Sequence, residues 1–227
     1  MLRFSQYLNE GVNDPAIFKA VFLAGGPGSG KSFIVGKTGL PSMGYKVVNS
    51  DDAFEAAMKK AGMEMTPDNI FSPKGQEIRG KAKTLTRTRQ MRYINGRLGL
   101  VIDGTGKDAR KLKGQATTLK SLGYDVAMIF VNTDLDTALK RNRMRARSLP
   151  DAEVEKYWKA VQVNIGEFQT FFGKDKMLIV DNSEGKDYQK ETLRAYKDVQ
   201  KFTNKPINAK AKKYLDRMKD KKTRSRV

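Results

Sequence analysis

The run Gly25-Gly26-Pro27-Gly28-Ser29-Gly30-Lys31-Ser32 leaves this chain few folds to choose from. An apolar stretch, Ala20–Ala24, leads into it, and a segment with Phe33, Ile34 and Val35 leads out. Glycines between a strand and a helix let the backbone curl until successive N–H groups point at one centre. The helix N-terminus adds its partial positive charge there. Such a turn is built for phosphate. Gly25-x-x-x-x-Gly30-Lys31-Ser32 satisfies the Walker A pattern in its strand–loop–helix setting. Gly26, Pro27, Gly28, Ser29, Gly30, Lys31 and Ser32 are therefore the candidate ATP-binding residues. Lys31 is expected to reach the β- and γ-phosphates, and the Ser32 hydroxyl to ligate Mg²⁺.

The rest of the pattern fits that loop. Five short apolar runs, Ala20–Ala24, Tyr45–Asn49, Leu98–Ile102, Asp125–Val131 and Met177–Val180, are continuous rather than alternating. Parallel strands covered on both faces read this way. Helical patterns fall between them, which predicts an α/β P-loop NTPase fold: a five-stranded parallel sheet flanked by helices. One helix is expected from about Asp151 to Phe172, where Val154, Trp158, Val161, Ile165, Phe168 and Phe172 form a single apolar stripe. That stripe reads as core packing. Between the second and third strands, Ala53–Arg97 begins as a helix, breaks around Pro67 and Pro73 and resumes near Gly75. The expected division is a P-loop domain over 1–185, with a lid at 140–150, and a basic helical C-terminal extension over 186–227, broken near Pro206.

Two absences shorten the list of chemistries. The chain has no Cys and no His, which removes disulfides, thiolate metal sites, Cys nucleophiles and His-based proton transfer. A general base must then be a carboxylate, Lys or Tyr, and a metal must be a hard ion with oxygen ligands. No apolar run approaches a membrane span, and the N-terminus lacks a signal peptide's apolar stretch, so a cytoplasmic protein without membrane attachment is expected. The net charge of +19 points to polyanionic partners. Residues 181–227 contribute +8 of it, with 15 basic and 7 acidic groups. Either a soluble surface or a surface for phosphate-rich substrates, nucleic acid among them, accounts for this.

Three carboxylates stand where chemistry is expected. Asp51 and Asp52 follow the second strand, and the carboxyl ends of parallel strands form the ligand crevice. A carboxylate there can take the proton of an attacking hydroxyl; alternatively the pair caps the next helix. Asp103 ends the third strand, with Gly104-Thr105-Gly106 following. Its role is either support of Mg²⁺ through water or orientation of substrate, together with Thr105. After the fourth strand, arginines recur at 141, 143, 145 and 147. Arg141 and Arg145 are the candidates for a lid closing on the transferred phosphoryl group, against the plainer reading of a solvated basic helix end.

In this order the pieces resemble the polynucleotide 5′-kinase and zeta-toxin branch of P-loop kinases, phage-type polynucleotide kinase domains in particular. The resemblance runs from Val21 to Phe172. It is carried by the Walker A run, Asn49-Ser50-Asp51-Asp52, Ile102-Asp103-Gly104-Thr105, and Lys140-Arg141-Asn142 through Pro150. It implies that Asp51 is the base, that Asp103 arranges the substrate side and that Arg141 contacts ATP phosphates. One departure concerns the acceptor: polynucleotide kinases carry, shortly after the paired Asp, an Arg that contacts the acceptor phosphate, and here Phe54 occupies that position. The Asp103-Gly104-Thr105-Gly106 version is similar to zeta-toxin-like kinases of large tailed phages. The expected activity is an ATP- and Mg²⁺-dependent kinase of a hydroxyl acceptor. That acceptor is the 5′-OH of a nucleic acid or nucleotide, or else a nucleotide-sugar. A nucleic-acid- or virion-associated module that binds ATP without catalysis is the alternative from another class.

Overall fold

The computed structural model describes residues 14–145 and 148–224. Five strands form one parallel sheet in the order β2-β3-β1-β4-β5, with β1 Lys19–Ala24, β2 Lys46–Val48, β3 Leu100–Asp103, β4 Asp125–Asn132 and β5 Met177–Asp181. Each lies within two residues of its expected place at either end. In this order β1 is central, and Leu23 near its end is level with Asp103 on β3 and Ile129 on β4. All five strands run the same way, so the P-loop, Asn49, Gly104, Thr133 and Asn182 emerge along one edge.

Alternation along the strands divides the core. Ala20, Phe22, Ile102, Met128 and Phe130 face a cluster completed by Leu112 of α5 (Ala109–Ser121), Phe168 of α8 (Ile165–Phe172) and Leu215 of α10 (Ala209–Arg224). Val21, Leu23, Val101, Ile129 and Val131 face the other side, with Ile34 of α1 (Lys31–Thr38) and Val199 of α9 (Tyr188–Asn204). Thus α9 and α10 each bury side chains in a core shared with the sheet. A third, smaller cluster joins α2 (Ser50–Lys60), α3 (Pro67–Phe71) and α4 (Pro73–Asn95) through Phe54, Met58, Ile70 and Ala82. Thr66 and Ser72 cap α3 and α4, with Pro67 and Pro73 at their first positions.

Beneath the sheet, Lys19 is 1% exposed and pairs with Asp125 at 2.9 Å. Its ammonium also lies 5.3 Å from the Phe202 ring. Asn208 donates to the Gly123 carbonyl at 2.8 Å and accepts the N–H of Ala211 at 3.1 Å, which anchors the start of α10 to the turn before β4.

The single helix expected over Asp151–Phe172 is two: α7 Asp151–Gln162 and α8 Ile165–Phe172. At the break the backbone bond of Asn164 shifts to the carbonyl of Val161, one turn tightened to i−3 spacing. Asn164 turns its side chain to donate to the carbonyls of Gly106 and Lys107, and Gln162 donates to Asn132 Oδ1. The apolar spacing continues across this break, so the stripe alone could not reveal it.

Candidate active site

The loop after β1 is shaped by close approaches. Gly28 has φ +77, and a Cβ there would lie 2.3 Å from the Ala138 carbonyl of α6 (Leu135–Arg143). Gly30, at φ +85, would meet Asn182 Nδ2 at 2.3 Å. Only glycine fits either position. Gly30 is the N-cap of α1 and no side chain caps that helix. The N–H groups of Gly28, Gly30, Lys31 and Ser32 have no hydrogen-bond acceptor among the described residues. The buried Ser29 hydroxyl is unpartnered too. A turn with this many unused donors at a helix start suits a polyphosphate. Lys31 Nζ donates back to the carbonyls of Gly25 at 2.7 Å and Gly26 at 3.3 Å. Burial lowers its pKa; the charges of Asp103 and Asp51 oppose this, and Arg145 reinforces it. Those causes place all four charged groups in one neighbourhood.

The carboxylates are organised by a residue that the sequence pattern quotes without a role. Asn49 is the N-cap of α2, accepting the N–H of Asp51 at 2.8 Å. Neither Asp51 nor Asp52 is the cap, contrary to one of the two alternatives above. The Asn49 amide donates to Asp52 Oδ1 at 3.2 Å and to Asp103 Oδ2 at 3.0 Å. Burial raises the pKa of Asp103, the Lys31 charge lowers it, and Asp51 and Asp52 raise it further. Asp52 is likewise raised, first by burial and then by Asp51 and Glu55. Asp103 Oδ1 is buried without a hydrogen-bond partner. An orphaned carboxylate oxygen and the exposed Ser32 hydroxyl supply hard oxygen donors of the kind Mg²⁺ takes. Among the described residues no cluster of three or more acidic side chains forms a metal cage by itself, so an ion here needs further ligands.

The two arginines lie differently. Arg141 Nη1 donates to the Asn182 carbonyl at 2.8 Å, and Asn182 Nδ2 donates to the Ser29 carbonyl at 2.8 Å, linking α6, the segment after β5 and the P-loop. A pocket of about 450 Å³ opens there, lined by Gly30, Phe33, Arg141, Asn182 and Tyr188. Arg145 is exposed just beyond α6. Asn142, within α6, donates its side-chain amide to the Leu149 carbonyl at 2.7 Å and accepts the Leu149 N–H at 3.0 Å, which ties the end of α6 to the residue before Pro150. Arg143 is turned away in an ion pair with Asp151, and Arg147 lies outside the described residues. Thr105 supports the loop through its carbonyl, which accepts the N–H of Gly25 at 2.9 Å.

Three contributors had weak signals in the sequence. Asn49 stands at the start of an apolar-patterned helix, where the capping preference for Asn points to it. Asn182 follows β5 at the crevice edge. Trp158 reads as core, yet its backbone packs beside Gly26 and its indole donates to the Thr133 carbonyl at 2.7 Å. Phe54 is 1% exposed with Arg79 5.3 Å above its ring.

The fold has relatives. The AvrRxo1-ORF1:-ORF2 complex matches with a TM-score of 0.58 and 14% identity, over 94% of this chain and 81% of that one. A PezAT chromosomal toxin-antitoxin structure from Streptococcus pneumoniae matches with a TM-score of 0.53 and 14% identity, over 87% and 92%. A gluconokinase from Sinorhizobium meliloti 1021 matches with a TM-score of 0.50 and 12% identity, over 82% and 94%. At these identities the likeness is one of fold. No curated protein matches the sequence. A family model described as an AAA domain, AAA_33, matches residues 21–163, more than half of the 227. With its uncapped phosphate loop and parallel sheet, the chain belongs to the AAA_33 family of P-loop kinase-like proteins.

Proposed function

We propose that this protein is an ATP- and Mg²⁺-dependent kinase that transfers the γ-phosphate to a hydroxyl acceptor, with the 5′-OH of a nucleic acid or nucleotide as the leading acceptor. The observation that carries the reading is the Asn49 tie, which gathers carboxylates beside the Walker lysine. A protein that only binds ATP has no use for Asp51 and Asp103 placed where their charges act on Lys31, with Asp52 tied to the same amide as Asp103. The loop N–H groups and Lys31 take the β- and γ-phosphates. The pocket of Arg141, Phe33 and Tyr188 takes the adenosine end. Ser32 and, through water, Asp103 would hold Mg²⁺. When bound, that ion neutralises charge on the phosphates and draws them into line.

Asp51 then accepts the acceptor's hydroxyl proton as the oxygen bonds to the γ-phosphorus and the bond to the bridging oxygen of ADP breaks. Arg141 and Arg145 stabilise charge on the phosphoryl oxygens. Asp52 and Thr105 orient the acceptor side. The test is transfer from γ-labelled ATP to a panel of 5′-OH oligonucleotides, nucleosides and nucleotide-sugars. Labelling by the wild type and none by Asp51→Asn supports the kinase. ATP and DNA binding with no acceptor labelled would make it a binding module instead.

Phe54 favours a second reading. Because this side chain is buried, the acceptor-phosphate contact implied by the polynucleotide-kinase resemblance is missing from α2, as suits a nucleotide-sugar kinase. The same panel separates the two.

A further inference from the structure

Beside Asp103 a cleft of about 460 Å³ runs between α4 and α5. One wall is a single face of α4: Lys83, Thr86, Arg87 and Gln90 recur at spacings of three, one and three. The opposite wall carries Lys107 and Lys111. Apolar side chains, Val48, Ile102 and Leu112 among them, form the floor, and Asp103 and Ser50 stand at its margin.

The charges are lopsided. Lys83, Arg87 and Lys111 have no carboxylate partner in an ion pair among the described residues. Lys107 sits 4.1 Å from the Tyr157 ring centre. Asp108 also lines the cleft, where it caps α5 by accepting the N–H of Lys111 at 2.9 Å, so the lining holds four cations against the carboxylates of Asp103 and Asp108. A solvated helix face would scatter its cations; here Lys83 and Arg87 of α4, Lys111 of α5 and Lys107 of the loop before α5 line one concavity, where low-dielectric walls strengthen an anion's attraction.

We propose that this cleft holds the acceptor by a phosphate group, with Lys83 and Arg87 on one side and Lys107 and Lys111 on the other. The enzyme thereby selects phosphate-bearing hydroxyl acceptors over neutral ones. The proposal rests on the kinase reading for the word acceptor. Anion recognition has moved from the position of Phe54 to the face of α4. The apolar floor receives the body of the acceptor while its hydroxyl is delivered toward Asp51 and Asp103.

The experiment uses the full chain and two double variants, Lys83→Ala with Arg87→Ala and Lys107→Ala with Lys111→Ala. Binding of a 5′-OH tetranucleotide, a nucleoside diphosphate sugar and an uncharged nucleoside is measured by calorimetry with a non-hydrolysable ATP analogue present. Transfer from labelled ATP is measured in parallel, and thermal melts exclude misfolding. Each pair should weaken the preferred phosphate-bearing probe by about tenfold or more, the strength of lost charge-assisted bonds, and raise its KM more than it lowers kcat. The nucleoside should shift by less than about threefold. If the tetranucleotide is the probe affected, its salt slope should also fall by about 0.7 per lost contact; if the sugar nucleotide, the phosphate belongs to a small acceptor. Equal losses for charged and neutral probes, or none for either, would overturn the assignment while leaving any observed transfer, and so the kinase, intact. Charge-dependent probe binding without transfer to any acceptor would uphold the cleft as an anion site and defeat the kinase reading.

Discussion

Asn49 Nδ2 lies 3.0 Å from Asp103 Oδ2, so one amide ties the end of β2 to the end of β3. The same residue caps α2 and holds Asp52. A capping residue has thus become the organiser of the carboxylate group, and two of the acids it gathers carry raised pKa values.

Replacing Asn49 should therefore do more than loosen a helix. Asn49→Ala is expected to cost about 0.5–2 kcal/mol in urea unfolding, the range for a lost cap. Phosphoryl transfer should fall by about 100-fold, as misplacement of reacting groups by about 1 Å does. Asn49→Ser keeps a capping oxygen and should recover most of the stability without the transfer. If Asn49→Ser transfers phosphate as the wild type does, the tie to Asp103 has no part in catalysis.

Asp103 sets function against stability. Burial raises its pKa above the ordinary 3.8, so the fold favours the protonated acid. This favourable contribution is complete below the unfolded value and is lost as pH rises through the folded one. At pH 7 an ionised Asp103 therefore costs stability. Asp103→Asn, which retains an oxygen for Asn49, should melt higher than the wild type at pH 7, with the difference closing as pH falls toward 4. Its transfer activity should drop by about 100-fold or more as support for the metal is lost. A lower melting temperature for the variant at pH 7 would contradict this balance.

Most of the fold was legible because burial on both faces of β1 and β4 writes continuous apolar runs, and the Walker glycines mark where β1 ends. The roles of side chains that reach across the chain were not. Asn182 supports Ser29 from 153 residues away, and no local pattern encodes such a pairing. The break at Asn164 was hidden because the apolar stripe of α7 continues in phase into α8. The charged face of α4 was visible as a basic run, but its direction depended on the third core cluster, where Phe54 and Ala82 fix the helix against α2.

That cluster makes Phe54→Arg informative. The substitution introduces the residue that the resemblance to polynucleotide kinases implies there, but at a site 1% exposed with Arg79 already stacked above it. A buried, unpaired guanidinium against an existing cation should cost at least about 3 kcal/mol. Acceptor affinity should not improve. Tighter binding of a 5′-OH oligonucleotide by a stably folded Phe54→Arg would show that α2, rather than α4, presents the acceptor contact.

Gly28 tests the loop from its other side. A methyl group there would strike the Ala138 carbonyl, and its φ of +77 disfavours any other residue. Gly28→Ala should push the loop away from α6 and abolish ATP binding in calorimetry, with a stability loss of about 1–3 kcal/mol from strain. Wild-type ATP affinity in this variant would mean that the contact between the loop and α6 is not needed to shape the phosphate site.

The basic C-terminal stretch invites deletion as a test of nucleic-acid binding, but α10 is not a detachable tail. Ala211 is fully buried and Leu215 is 7% exposed, both in the core cluster against the sheet. The Tyr214 ring packs 5.5 Å from Phe18 and carries the Arg97 guanidinium 4.9 Å from its centre. Removing residues 210–227 strips these groups together, and losses at each large buried side chain run to about 2–5 kcal/mol. The truncated chain should unfold at markedly lower urea, and any loss of binding would then report instability. Lys212 and Lys213 point outward, so replacing both by Ala should change stability by no more than about 0.5 kcal/mol. Unlike the truncation, that pair can show whether charge on α10 contributes to nucleic-acid affinity with the fold kept intact. A truncated chain that melts with the wild type would overturn the role of Ala211 and Leu215 as core residues.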